Sequence, residues 1–325
     1  MENILVLVHT DQGGILPRAA LETVAAARAL GGEITIAVFG EGASASIGSI
    51  AVDGDAFAVP RYSTDAAAAE ALVRRAGATL VLAPNTSRMA RCLPGVAARV
   101  NGAVDTHAVA IARDGDAVTV TRWFYRQRIE GTLAREARPW FILLEPGACE
   151  PAGAAPAPAV ETLAVDAPTR TTHEGYASPE SGEQTIRPDA RLLFVAGAGW
   201  TKKQPDGAIH IDEAATLIMG FVRAAQSSLG SSKSLVDQSG EGQAVLPFLT
   251  HLHQVGQTGS TPRHRKGLAT CCHGEEPHVV GWRFINDRRA VNLDPNCGWA
   301  RGKADVLYVG DSFEVMRELN RLLSE

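Results

Sequence analysis

Five consecutive apolar residues, Ile4-Leu5-Val6-Leu7-Val8, open the chain, and a stretch of helical periodicity follows, entered past Pro17 and closed by Gly31-Gly32. An apolar run this short and this rich in β-branched residues reads as a strand buried on both faces. Such strands belong to parallel sheets, which need helical crossovers. The same unit then returns. Residues 34–39 read as a second buried strand, 65–76 as an alanine-rich helix, 79–82 as a third strand, and 95–100 as a further helical turn or two behind Pro94. Residues 118–124 and 140–144 add strand-like segments open to antiparallel pairing, and the pattern stops at Pro146-Gly147.

From about residue 150 the composition changes. Pro151, Pro156, Pro158, Pro168 and Pro179 stand among Ala, Thr, Ser and Gly with few large apolar residues, a mixture that reads as an extended linker without a core. The strand–helix pattern restarts at 192–195, which runs into Gly197-Ala198-Gly199. Asp212 then reads as the cap of a helix whose apolar stripe is Ala214, Leu217, Ile218, Phe221, Ala225 and Leu229, closed by Gly230. Short strands are expected at 234–236, 267–270, 290–293 and 306–309. A last helix begins at Asp311, with Asp-x-x-Glu spacing to Glu314, and buries Phe313, Met316, Leu319 and Leu323. The expected fold class is therefore α/β: two doubly wound, Rossmann-like parallel-sheet domains over 1–149 and 189–325, joined by an extended linker over 150–188.

Charge and leader signals narrow the function classes. With 36 acidic against 31 basic residues the formal net charge is -5, so the positive field that drives phosphate-backbone binding is missing and no nucleic-acid partner is expected. No apolar run reaches about 18 residues and no basic segment precedes Ile4, so the expectation is a cytoplasmic protein that is not membrane-embedded. Five scattered cysteines, an odd number, read as free thiols. The series Arg88, Arg91, Arg99 reads as a solvated helix face. Trp123, Phe124 and Tyr125, between Arg122 and Arg126, suit either strand packing or a subunit interface.

The chemistry-bearing motifs fall after strands. Gly197-x-Gly199 lets the backbone approach a phosphate, but Lys202 stands where a dinucleotide fingerprint needs its third small residue. Gln254-Val255-Gly256-Gln257-Thr258-Gly259 is too polar for a strand interior and too glycine-rich for a helix. It suits a loop that offers amides and a hydroxyl to a polar ligand, or an ordinary turn. Cys271-Cys272-His273-Gly274-Glu275-Glu276-Pro277-His278 follows a strand and opens a helix, where amide dipoles favour an anion or a polarised carbonyl. Asn292-x-Asp294-Pro295 and Gly310-Asp311 sit just past predicted strands, and in doubly wound sheets ligands bind at those carboxyl ends.

In this order the elements resemble the alpha subunit of the electron transfer flavoproteins. That family carries a small-Ser-Arg-x-x-Val-Asp segment, then Gln-Val-Gly-Gln-Thr-Gly, then Gly-Ile-Ser-Gly-Ala-Ile-Gln-His, then Ile-Asn-x-Asp-Pro, and a final Gly-Asp. Here these stand as Ser231-Ser232-Lys233-Ser234-Leu235-Val236-Asp237, Gln254 to Gly259 intact, Cys271 to His278 in altered form, Val291-Asn292-Leu293-Asp294-Pro295, and Gly310-Asp311. The first half is similar through Asn3-Ile4-Leu5-Val6-Leu7, Thr86-Ser87 ahead of Leu93-Pro94, and Leu144-x-Pro146-Gly147.

The resemblance implies FAD held by the second domain and a heterodimer with a beta subunit that carries AMP. It implies that Gln257 and Thr258 face the flavin or its ribityl and phosphate chain, that Ser232 bonds the pyrophosphate, and that His278 lies beside flavin N1 and O2. Asn292 and Asp311 would hold the adenosine end, with Gly199, Gln254, Gly259, Gly274 and Asp294 completing the cradle. Several positions depart from the pattern: Lys233 replaces an arginine over the flavin, losing its planar fork, His273 replaces a serine near flavin N5, Pro277 a glutamine, and Ser260 a lysine. Arg263, Arg265 and Lys266 add positive charge downstream, for the same phosphates or for a partner.

No side chain of such a protein performs acid–base catalysis. The implied role is an electron carrier between a flavin-dependent dehydrogenase, for acyl-CoA or methylated amines, and an acceptor such as a quinone oxidoreductase. Two alternatives stay open: a nucleotide-binding regulatory or structural subunit without a redox-active flavin, and a flavin-dependent oxidoreductase with its own substrate and His273 as base. A metal reading of Cys271, Cys272, His273, His278 and Cys297 is disfavoured, because adjacent cysteines chelate poorly and no Cys-x-x-Cys is present.

Overall fold

The computed structural model describes residues 2–125, 129–153, 159–167, 169–175, 186–187, 190–238, 243–256, 261–270, 284–297, 300–301 and 303–325. The chain divides into two compact units, Met1–Tyr176 and Ala177–Glu325.

The first unit runs β1 (Ile4–His9), α1 (Arg18–Ala29), β2 (Ile34–Gly40), β3 (Ile50–Asp53), α2 (Tyr62–Ala76), β4 (Leu80–Pro84), α3 (Ser87–Arg99), β5 (Ala103–Asp114), β6 (Ala117–Phe124), β7 (Ile129–Leu133), β8 (Trp140–Leu144) and β9 (Glu161–Thr162). Among the described residues the sheet has nine strands in the order β7-β6-β5-β8-β4-β1-β2-β3-β9. It is parallel from β5 through β8 to β9, and the antiparallel pairs are β5 with β6 and β6 with β7. β1, β4 and β8 are buried along their whole length, as continuous apolar runs require. One face packs Leu5, Leu7 and Val81 under α2 and α3, through Leu72, Met89 and Val96. The other packs Ile4, Val6 and Leu82 under α1, through Ala20, Val24 and Ala27.

Two expectations change here. The helix expected at 95–100 runs from Ser87, where the Thr86 side chain accepts from the Met89 amide, and carries Pro94 in its interior. Proline at that position removes one intrahelical bond, which burial of Leu93, Val96 and Ala97 offsets. The segment expected as a coreless linker contributes β9, parallel to β3, and packs Leu163, Val165 and Ala167 on the first core.

The second unit runs β10 (Leu192–Ala196), α4 (Ile211–Ala224), β11 (Ser228–Ser231), α5 (Lys233–Asp237), β12 (His264–Thr270), β13 (Ile285–Asn292), β14 (Val306–Val309) and α6 (Ser312–Leu323). Its strands are all parallel, in the order β11-β10-β12-β13-β14. α4 and α6 cover one face through Ile218, Phe221, Phe313 and Met316, and the other face buries Leu193, Phe284, Ile285 and Cys297.

Again the sequence reading shifts locally. His210, not Asp212, precedes α4, and Asp212 lies in its first turn. Leu229 and Gly230 belong to β11 rather than to the end of α4, because the helix stops at Ala224 and Gln226 turns the chain with a positive φ of 49°. The strand expected at 234–236 is part of α5, capped by Ser232. Leu323 is exposed at the end of α6.

Candidate functional site

Backbone hydrogen bonds fix which loops share the carboxyl edge of the second sheet. Val255 N donates to Ser231 O at 3.0 Å, Ser232 N to Ala196 O at 2.9 Å, and Gly197 N to Thr270 O at 2.9 Å. At the far end Gly310 N donates to Asn292 O at 3.1 Å. An isolated parallel bridge between Ser231 and Gln254 extends the edge by one position. With that bridge the order becomes 3-2-1-4-5-6 in chain sequence, and its reversal lies between β10 and β12. This is the crevice where open α/β sheets bind nucleotides.

The described motif residues therefore line one edge in two groups. Gly199, Ser232, Lys233 and Gln254 follow β10 and β11, while Asn292, Asp294 and Asp311 follow β13 and β14. From β11 to β14 there are four strand spacings, about 19 Å at ~4.8 Å each, a span for a dinucleotide laid across the edge. Gln257, Thr258, Gly259, His273, Gly274 and His278 lie outside the described residues, as do Cys271 and Cys272.

Each described side chain also has a local duty. Ser232 accepts from the Leu235 amide at 3.4 Å and starts α5. Asp311 accepts from the Phe313 and Glu314 amides at 2.7 and 3.1 Å, capping α6. Asn292 is buried and donates to Asp294 O at 3.2 Å, while Asp294 accepts from the Asn296 amide at 2.8 Å, so the two close one turn. Lys233 pairs with Asp237 at 3.7 Å at the surface, and His251 stands 3.8 Å from the same carboxylate. Thus this cation is already shared with an anion.

Three features of this edge were missed in the sequence. Trp200 is fully buried beneath the Gly197–Gly199 turn, donates to Thr270 Oγ1 at 2.9 Å and packs on Phe313 at 4.6 Å, tying the ends of β10 and β12 to α6. A tryptophan directly after a glycine pair is the signal that could have revealed it. Ser231 is fully buried at the carboxyl end of β11, and its hydroxyl finds no hydrogen-bond partner among the described residues. A buried orphan hydroxyl costs about 1–3 kcal/mol unless something else satisfies it. Finally, His253, next to Gln254, is buried, and away from this edge, at the amino end of β12, His264 is buried too. His253 closes a capping box with Thr250, and His264 contacts the carbonyls of Pro262 and Arg187 at 2.9 and 2.8 Å.

Arg265 and Lys266 lie in the first half of β12, and about 17 Å of strand separates Arg265 from Thr270 at the carboxyl edge. Arg263 precedes the strand. These residues stand at the amino end of β12, away from the carboxyl edge that gathers the motif loops. The Arg88 expectation falls: Arg88 is buried in the first unit and pairs with Asp65.

The family model for the electron transfer flavoprotein domain matches residues 4–168, just over half of the chain. This chain belongs to the electron transfer flavoprotein family. The match lies inside the first unit. The chain is also similar to the electron transfer flavoprotein subunit alpha of Chromohalobacter salexigens, with 28% identity over 96 residues. That stretch covers 30% of this chain and 21% of the relative, so about a fifth of the relative's length is spanned. Among the described residues no helix is long and apolar enough to cross a membrane.

Proposed function

We propose that this electron transfer flavoprotein family member is an alpha subunit that holds FAD on the carboxyl edge of its second unit and works as an electron carrier beside a beta subunit that binds AMP. The observation that carries the reading is the convergence of the motif segments at Ser231–Lys233, Gln254, Asn292–Asp294 and Gly310-Asp311 on one sheet edge at its switch point. The orphan Ser231 hydroxyl supports a ligand there, because a polar ligand would relieve its desolvation.

FAD, when bound, supplies the redox chemistry. The chain's own residues orient and tune. Ser232, at the first turn of α5, offers its hydroxyl to the pyrophosphate. Lys233 contributes positive charge near the ring system, weakened by Asp237. Asn292 and Asp311 hold the adenosine end from two adjoining strand ends. Gln257, Thr258, His273 and His278 complete the cradle in this reading. The donor is a flavin-dependent dehydrogenase, for acyl-CoA or methylated amines, and the acceptor a quinone oxidoreductase.

Co-expression with a beta-type subunit, followed by cofactor release and chromatography, tests the reading. FAD together with AMP supports the carrier, a nucleotide without flavin supports a regulatory subunit, and turnover of a small reductant without any protein partner supports a flavoenzyme.

A further inference from the structure

β1 and β4 are neighbours in the first sheet, and the residues at their carboxyl ends bring a carboxylate, an imidazole and a hydroxyl into one chain of contacts. His9 is buried at the end of β1, its ring 6.1 Å from that of Phe39. Its Nδ1 stands 3.3 Å from Thr10 O and 3.4 Å from an Asp11 carboxylate oxygen. The hydrogen bond with His9 holds the Asp11 pKa below the ordinary carboxylate value, so Asp11 is ionised at neutral pH and, like the carbonyl, only accepts. Nδ1 therefore carries the proton of the neutral ring, and Nε2 is left as an acceptor.

Nε2 faces Thr86 Oγ1 at 3.2 Å. That hydroxyl has one proton and two lone pairs, and the Met89 amide takes one lone pair at 3.3 Å. Its proton goes to Nε2 and the second lone pair remains. Thr86 directly precedes α3, whose first amides, on Ser87 and Arg88, have no partner inside the helix. Amides that follow a nucleophile in this way are donors for the oxyanion formed in acyl transfer. The Arg88 guanidinium is committed elsewhere, to Asp65 at 2.7 Å and to Thr10 O at 3.2 Å. His9, Asp11 and Thr86 line a cavity of about 450 Å³ together with Pro17, Ala58 and Pro60, room for a small organic molecule with an apolar part.

We infer that Thr86, His9 and Asp11 form a nucleophilic site that takes the acyl group of a small ester. Thr86 Oγ1 attacks the ester carbonyl carbon while its proton passes to His9 Nε2. The bond from that carbon to the alcohol oxygen then breaks, and the departing oxygen takes the proton from Nε2, which leaves acyl-Thr86 and the free alcohol. Water attacks the acyl carbon in turn and gives a proton to Nε2. The carboxylic acid leaves, and the proton returns to Thr86 Oγ1.

The site is separate from the flavin crevice, and its test needs neither flavin nor a partner subunit. Purified protein is mixed with p-nitrophenyl acetate, p-nitrophenolate release is followed by absorbance, and the acetyl adduct is located by peptide fragmentation. The adduct is expected on Thr86. Thr86→Val and His9→Gln should each slow release about 100-fold or more, the scale of general-base assistance. Thr86→Ser keeps both hydroxyl and helix cap and should retain the rate. Asp11 positions His9, so Asp11→Asn should slow release by about 10-fold only, because Thr10 O still holds the Nδ1 proton, and Asp11→Glu should recover most of that loss. Acetylation confined to other residues, release no faster than with free imidazole at the same concentration, or release unchanged in Thr86→Val overturns the inference.

Discussion

Replacing Arg88 by methionine should be among the most damaging single changes in the first unit. The substitution keeps the aliphatic stem and deletes four polar contacts, two of them to Asp65, whose side chain is completely buried. The change leaves the buried carboxylate only the half-exposed Arg91 at 3.9 Å, so the cost approaches that of a broken buried pair, about 3–5 kcal/mol. Burial already holds the Asp65 pKa above the ordinary carboxylate value despite the opposing pull of Arg88, so without Arg88 it rises further. The stranded carboxyl then takes up a proton at lower pH. A raised folded-state pKa gives stability at low pH that is lost as pH rises through it, so the penalty of Arg88→Met should shrink on acidification. The double variant Asp65→Leu/Arg88→Met should cost less than the two single changes added, with a coupling of about 1–3 kcal/mol. Urea-dependent hydrogen exchange of β1 and β4 amides measures these values for the first unit alone. A single-variant cost below about 1 kcal/mol, a cost independent of pH, or strict additivity refutes the reasoning.

Other outcomes follow from the same contacts. Cys92 is fully buried and burial pushes its pKa up to about 12, so native protein should leave it unlabelled by iodoacetamide while urea-unfolded protein is modified at once, as peptide mass spectrometry reads directly. Asp311→Ala should destabilise α6 by about 1 kcal/mol through loss of its cap, whereas Asp311→Ser keeps a capping oxygen. If Asp311 also holds the cofactor, both variants lose FAD retention but only the alanine loses thermal stability. His107 bonds Glu145, which raises the imidazole pKa, so its contribution is full below the unfolded value and fades as pH rises through the folded one. His107→Gln should therefore lower stability more at pH 5.5 than at pH 8.5, by well under ~1 kcal/mol because the side chain is largely exposed.

Most strands of the two sheets were legible because parallel, doubly buried strands carry a signal that survives without context: β1, β2, β4, β8 and β10 all sit close to their apolar runs, and the exposed edge strand β14 was legible from its β-branched and aromatic residues. What failed has specific causes. β11 reads Ser-Leu-Gly-Ser, with too few large apolar residues to register as a strand, and it forms because β10 supplies its ladder and α4 its cover. Ser234–Val236 looked like a strand because Leu235 and Val236 are adjacent, but the Ser232 cap starts a helical turn there. α3 was truncated by Pro94, a local rule overridden by burial of the helix. The burial of Arg88 depends on Asp65, a residue 23 positions earlier on another helix, and no local pattern announces that pairing. For the candidate site, the placement of motif residues just past strands was readable, since strand ends and turn residues are both local. Trp200 and Ser231 were not, because their roles exist only once β10, β11, β12 and α6 converge.

The proposed placement of FAD is tested most directly by hydrogen exchange of this chain, paired with a beta-type subunit and freed of cofactor, before and after FAD is added. Slowed exchange at Ser231–Lys233, around Gln254, at Asn292–Asp294 and at Gly310-Asp311, with the amino-end residues Arg265 and Lys266 unchanged, is the predicted result. Slowing confined to other segments, or FAD uptake with those four loops unaffected, contradicts it.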